Sequence, residues 1–137
     1  MTGARPTHGD HGRVVYLALC VATIGFALGF VYPAITPQAV LWYYPLERRW
    51  AYEIEPTGLA MDFYGRALLA LAAAAVSFAG GYVVFRRWRR AVTHPTVLGL
   101  FTAWAITATL FAMLNFGWTL YFRTPVPAPL PDWYVPR

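Results

Sequence analysis

The sequence has no lysine, a single cysteine and few charges, with only 12% of its 137 residues being Asp, Glu, Lys or Arg. Soluble domains carry about 25% charged residues. A deficit of this size, beside 58% hydrophobic residues, excludes an ordinary soluble domain and a disordered chain. The lone Cys20 excludes an intramolecular disulfide and a cysteine-rich metal motif. Inside an apolar run it reads as a small apolar residue.

Histidine is scarce too. His8, His11 and His94 stand outside the apolar runs or at their edge, so a b-type haem with both axial ligands in this chain is not expected. His8-Gly-Asp-His11 offers too few ligands in a polar leader for a metal site, and no metal is assigned. No Asp, Glu, Lys or Arg falls in the interior of an apolar run. Ion-coupled transporters and proton pumps need such a group at depth, so an autonomous transporter is disfavoured. Catalytic machinery is missing as well. Ser77 has no His or acid near it, and Glu47, Glu53, Glu55 and Asp62 alternate with Arg48, Arg49 and Arg66 in a way that reads as interfacial ion pairing. No catalytic residue is assigned and the chain is not expected to be an enzyme.

What the sequence does contain is three long apolar runs. They predict an all-α membrane protein with three transmembrane helices and an aromatic interfacial loop between the first two. The expected order is a polar leader (1–13), a first span (14–32), the loop (33–65), a second span (66–85), an Arg-rich loop (86–94), a third span (95–121) and a Pro-rich tail (122–137). Pro33 and Pro37 are expected to end the first span. That run is long for a signal peptide, and no small-residue cleavage site follows it, so it is expected to be retained. The second helix is expected to begin before its apolar core, near Pro56–Thr57, with Asp62 and Arg66 paired across one turn. Pro95 is placed in the first turn of the third helix.

The loop gathers Trp42, Tyr43, Tyr44, Trp50 and Tyr52. Amphipathic rings favour the headgroup level, which predicts a segment lying along the membrane surface, with a short helix near Thr36–Tyr44.

The net charge is +5 and all 11 basic residues are Arg. In a soluble protein that balance points to nucleic acid. Here the charges sit at the ends of the apolar runs, so topology accounts for them and no nucleic-acid partner is expected. Arg86, Arg87, Arg89 and Arg90 form a cluster without an acid. The cluster predicts a cytoplasmic N-terminus and a periplasmic C-terminus, in a bacterial inner membrane. Its other reading is an anionic-lipid contact.

Each span carries small residues at helical spacing: Ala18, Ala22, Gly25 and Gly29, then Ala70, Ala74, Ser77 and Gly81, then Thr102, Ala105, Thr109 and Ala112. Small faces let helix backbones approach closely in lipid. They either hold these three helices together or receive partner chains. Asn115 is the most polar deep residue, and His94 stands at the entry of the third span. An interhelical hydrogen bond and a hydrated interfacial imidazole are the plain readings. A cofactor contact is the sharper one.

Together these observations lead to an expected function: a non-catalytic accessory subunit of a larger membrane complex, of the energy-transducing (respiratory or photosynthetic) class by analogy. Its partners would be other membrane subunits and the bilayer. It would hold no cofactor of its own, with a shared pigment, quinone or lipid at a subunit interface as the alternative. A small self-assembling transporter or channel is the third possibility.

Overall fold

Three stretches of this chain hydrogen-bond their own backbone as long helices, the solution a continuous apolar run needs wherever water is absent. The computed structural model describes residues 8–35, 41–52, 61–88 and 92–121. Its elements are α1 (His8–Ile35), β1 (Trp42–Tyr44), β2 (Arg49–Ala51), α2 (Phe63–Arg87) and α3 (Pro95–Tyr121). The chain is mostly helical, and all three helices are long and apolar enough to cross a membrane.

Two boundaries differ from expectation. α1 starts at His8, so the polar residues up to Arg13 belong to its opening turns. Asp10 lies in the first turn, where a carboxylate suits the positive end of the helix dipole. Pro33 lies inside α1 rather than after it. Proline forfeits the bond to the carbonyl four residues back, here Gly29. Only two residues of helix follow, so the last turn is weakened and the span is intact.

α2 begins at Phe63, after Asp62, whose side chain makes no capping bond. The expected start at Pro56–Thr57 lies outside the described residues. α2 ends at Arg87, and the Trp88 N–H bonds Val84 O at 2.9 Å. α3 opens on Pro95, as the sequence predicts, and the His94 carbonyl accepts from Val97 N and Leu98 N.

The connection between α1 and α2 corrects the expected short helix at Thr36–Tyr44. Trp42–Tyr44 is a strand, paired antiparallel with Arg49–Ala51 in the register Trp42↔Ala51, Tyr43↔Trp50 and Tyr44↔Arg49; residues 36–40 lie outside the described residues. Aromatic side chains fit a pleated surface better than a helix. Residues 45–48 close the hairpin, and Arg48 takes a left-handed φ of 50° to do so. Tyr43 also bridges Met61 through two backbone bonds of 3.0 and 2.9 Å, which ties the hairpin to the entry of α2.

α1 is the centre of the bundle. It packs on both α2 and α3, while the backbones of α2 and α3 stay apart. In its most apolar stretch 44% of α1 is buried, against 11% for α2 and none for α3. Two apolar clusters close the bundle at its ends. Val14, Leu17, Phe85 and Val92 form one, and Phe30, Val31 and Ala70 form the other. The first lies at the end carrying Arg86 and Arg87, the second at the hairpin end.

Candidate functional site

The seam between the two clusters is made of the small residues. A Cβ added to Gly25 would stand 2.7 Å from Ser77 Cβ and 3.1 Å from the Ala73 carbonyl oxygen. One added to Gly29 would stand 2.9 Å from Ala73 Cβ and 3.0 Å from Ala70 Cα. Gly81 returns the contact from α2, where an added Cβ would stand 3.5 Å from Ala18 Cα and 3.3 Å from Val21 Cβ. Ala18, Gly25 and Gly29 thus face Ala70, Ser77 and Gly81. Ala22 and Ala74 are half-buried beside this line. Spacing alone passed over Ala73 and Val21, which are part of it.

The small residues of α3 do not form a comparable seam. Ala112 packs against the Phe30 cluster, Thr102 accepts a hydrogen bond, and Ala105 and Thr109 line open grooves. No residue of α3 is buried.

α1 and α3 run parallel in a fixed register. Tyr16 OH lies 2.7 Å from Thr102 Oγ1, a separation of 86 residues. Phe30 and Phe116, also 86 apart (116 − 30), meet at 6.0 Å between ring centroids. Thr102 gives its proton to Leu98 O at 2.7 Å, so Tyr16 is the donor to Thr102. No sequence pattern announces either pair.

The hairpin end is an aromatic assembly that joins every element. Trp50 meets Tyr43 at 4.9 Å, and Tyr43 meets Tyr64 at 5.5 Å. Tyr64 meets Phe63 at 5.9 Å, and Phe63 reaches Phe116 at 5.5 Å and Phe30 at 6.0 Å. Such edge and tilted pairs each contribute about 0.5–1.5 kcal/mol beyond burial. The five loop aromatics divide by exposure. Tyr44 is 1% exposed, with the Arg49 guanidinium 4.9 Å from its ring centroid. Trp42 and Tyr43 are half-buried. Trp50 and Tyr52 are exposed at 44% and 70%.

Among the described residues, two ion pairs lie at this end. Glu47 and Arg49 pair at the hairpin tip with both side chains well exposed. Asp62 and Arg66 pair across the first turn of α2, with the Arg66 side chain only 8% exposed. Arg66 Nε and Asn115 Oδ1 are enclosed without a hydrogen-bond partner among the described residues. Glu53 and Glu55 lie outside those residues.

The opposite end is basic. Arg13, Arg86 and Arg87 are exposed there, with Asp10 half-buried; Arg89 and Arg90 lie outside the described residues. The His11 ring meets Tyr82 edge-on at 6.3 Å. His94 is exposed at the entry of α3. It and Asn115 are separated by most of α3, roughly 30 Å at the helical rise, so no small ring ligand touches both. Cys20 is buried.

Comparison of this chain with protein-family models, with curated proteins and with solved structures finds no match.

Proposed function

We propose that this chain is a non-catalytic accessory subunit of a larger integral membrane complex. The observation that carries this is the lopsided packing of the bundle. α1 is held on two sides, whereas α3 has its backbone against α1 alone, meets α2 only through side chains such as Phe101 and Phe116, and has no buried residue. Asn115 adds to it. An enclosed amide oxygen without a donor costs about 1–3 kcal/mol, and a rotated amide at the edge of α3 would find its donor on a neighbouring helix. Trp50 and Tyr52 provide a second contact surface outside the spans.

The energy-transducing class is proposed by analogy only. The transporter alternative gains little support from the polar side chains. Ser77 lies in the α1–α2 seam, and the Thr102 and Thr109 hydroxyls donate to their own helix at Leu98 O and Ala105 O. Thr102 and Thr109 line one open groove, and Ser77 is not part of it. The alternative, a pigment or quinone held between this chain and a partner, would use His94 and Asn115 at two separate places, roughly 30 Å apart along α3.

Mild detergent extraction of the tagged chain, with mass spectrometry of what accompanies it, tests the proposal. A defined set of larger membrane subunits is expected. A chain recovered alone, or only as copies of itself, would sink the accessory role.

The proposed location is a bacterial inner membrane, with the Arg-rich end in the cytoplasm and the hairpin outside. The excess of Arg13, Arg86 and Arg87 over Asp10 at one end motivates the orientation. In a Cys20→Ala background, Tyr52→Cys is expected to react with an impermeant maleimide in intact cells. Arg87→Cys is expected to react only after permeabilisation. The reverse pattern would invert the topology.

A further inference from the structure

The α1–α3 contact leaves an open trough on its outer side. Two grooves of about 300 and 280 Å³ make it up, and they share Thr23 and Thr109. Tyr16 marks one end on α1 and Phe30 the other. At the helical rise that is roughly 20 Å, somewhat more than one leaflet of a hydrocarbon core about 30 Å thick.

The threonine hydroxyls along the trough are spent within their own helices, and the Tyr16 hydroxyl is spent on Thr102. Thr23 donates to Leu19 O at 2.9 Å and Thr109 to Ala105 O at 2.8 Å. An occupant therefore meets hydrocarbon: Phe26, Ile106, Leu110 and Met113. The mouth is different. Arg13 is exposed one turn before Tyr16, and three residues of helix put both on neighbouring positions of one face. Arg86 and Arg87 are exposed at the same end of the bundle. The trough is thus apolar along its length and basic where it opens.

We infer that this trough holds one acyl chain of an anionic phospholipid, whose phosphate is met by Arg13 at the mouth. The lipid comes from the leaflet on the arginine side. Charge selects the head group and the groove takes the chain. This site is distinct from a diffuse attraction to Arg86 and Arg87, because it requires a chain-shaped groove as well as a cation. It depends on the chain spanning a membrane and not on its being an accessory subunit.

Native mass spectrometry of the purified full chain tests it, with phosphatidylglycerol and phosphatidylcholine of identical acyl chains as competing probes. One retained lipid is expected, with phosphatidylglycerol preferred roughly fivefold, the effect of one arginine near an anionic head group. Arg13→Gln is expected to abolish the preference while a lipid is still retained. Ile106→Trp and Thr109→Trp, both at exposed positions, are expected to remove the adduct of either lipid. Circular dichroism checks that these variants stay helical; should they unfold, Arg13→Gln against Arg86→Gln decides. Equal retention of the two lipids by the unaltered chain would overturn the inference. So would a preference lost in Arg86→Gln and kept in Arg13→Gln, or an adduct untouched by a folded tryptophan variant. A photo-crosslinker at position 109 that captures a polypeptide in native membranes, and no lipid, would assign the trough to a partner helix instead.

Discussion

Alanine at Gly29 is expected to destabilise the α1–α2 pair, although alanine is the better helix former by about 1 kcal/mol. The new methyl group would stand 3.0 Å from Ala70 Cα and 3.3 Å from the Leu69 carbonyl oxygen. Both are backbone atoms of α2, and backbone does not swing aside as a long side chain does. Overpacking of this kind costs roughly 1–3 kcal/mol, which outweighs the propensity gain. Gly25→Ala meets Ser77 Cβ and the Ala73 carbonyl and is expected to behave alike. Gly80 is the control, since a Cβ there has nothing within 4 Å. Gly80→Ala keeps the propensity gain without the clash and should be neutral or stabilising. Thermal unfolding in a mild detergent reads the difference. If Gly29→Ala and Gly80→Ala unfold together, the helices are not as close as described.

Asp62→Ala is expected to cost about 3 kcal/mol, at the low end for breaking a buried ion pair. The Arg66 side chain is 8% exposed and its Nε already lacks a partner. Removing the carboxylate leaves a guanidinium with little water to replace it. The value stays at the low end because Asp62 itself is 26% exposed on its side chain, so some solvent can follow. The exposed pair of Glu47 and Arg49 offers the contrast, and Glu47→Ala should stay within about 1 kcal/mol of the parent. Asp62→Leu combined with Arg66→Met should recover most of the loss, since an apolar pair needs no desolvated charge. Denaturant unfolding of the four proteins makes the comparison. A loss in Asp62→Ala no larger than in Glu47→Ala would mean that the Arg66 guanidinium is hydrated.

The three helices were legible in the sequence because each is a long apolar run bounded by charge or proline, and no other structure satisfies such a backbone in lipid. The ends of α1 were less so. Asp10 and Pro33 look like boundaries by composition, yet one favours a helix opening and the other tolerates a helix about to stop. The hairpin escaped notice for another reason. Trp42, Tyr43 and Tyr44 suit both the headgroup level of a bilayer and a pleated strand, and only the second preference leads to the hairpin. The turn at residues 45–48 carries no glycine, and Arg48 takes the left-handed conformation in its place.

The site was legible only in part, and the division follows the range of the contacts. Helical spacing within one segment picks out Gly25, Gly29, Ser77 and Gly81. It cannot tell which helix lies opposite, so it does not distinguish Ala73 from Ala74, nor foresee that Thr102 meets Tyr16. Phe30, Phe63 and Phe116 come from three helices, and their meeting follows from the packing of the whole bundle.

The position of α1 between its neighbours also sets an order of events during synthesis. A chain emerging from its N-terminus makes α1 first, and α2 follows across the hairpin, so the glycine seam can close early. The residues that receive α3 wait longer, because Tyr16 and Phe30 find their partners only after 86 more residues have been made. Until then the flank of α1 that carries Cys20, Thr23 and Ala27 has no helix against it. α1 and α2 form the nascent half of the molecule, and α3 is a late addition that must displace whatever has settled on that flank.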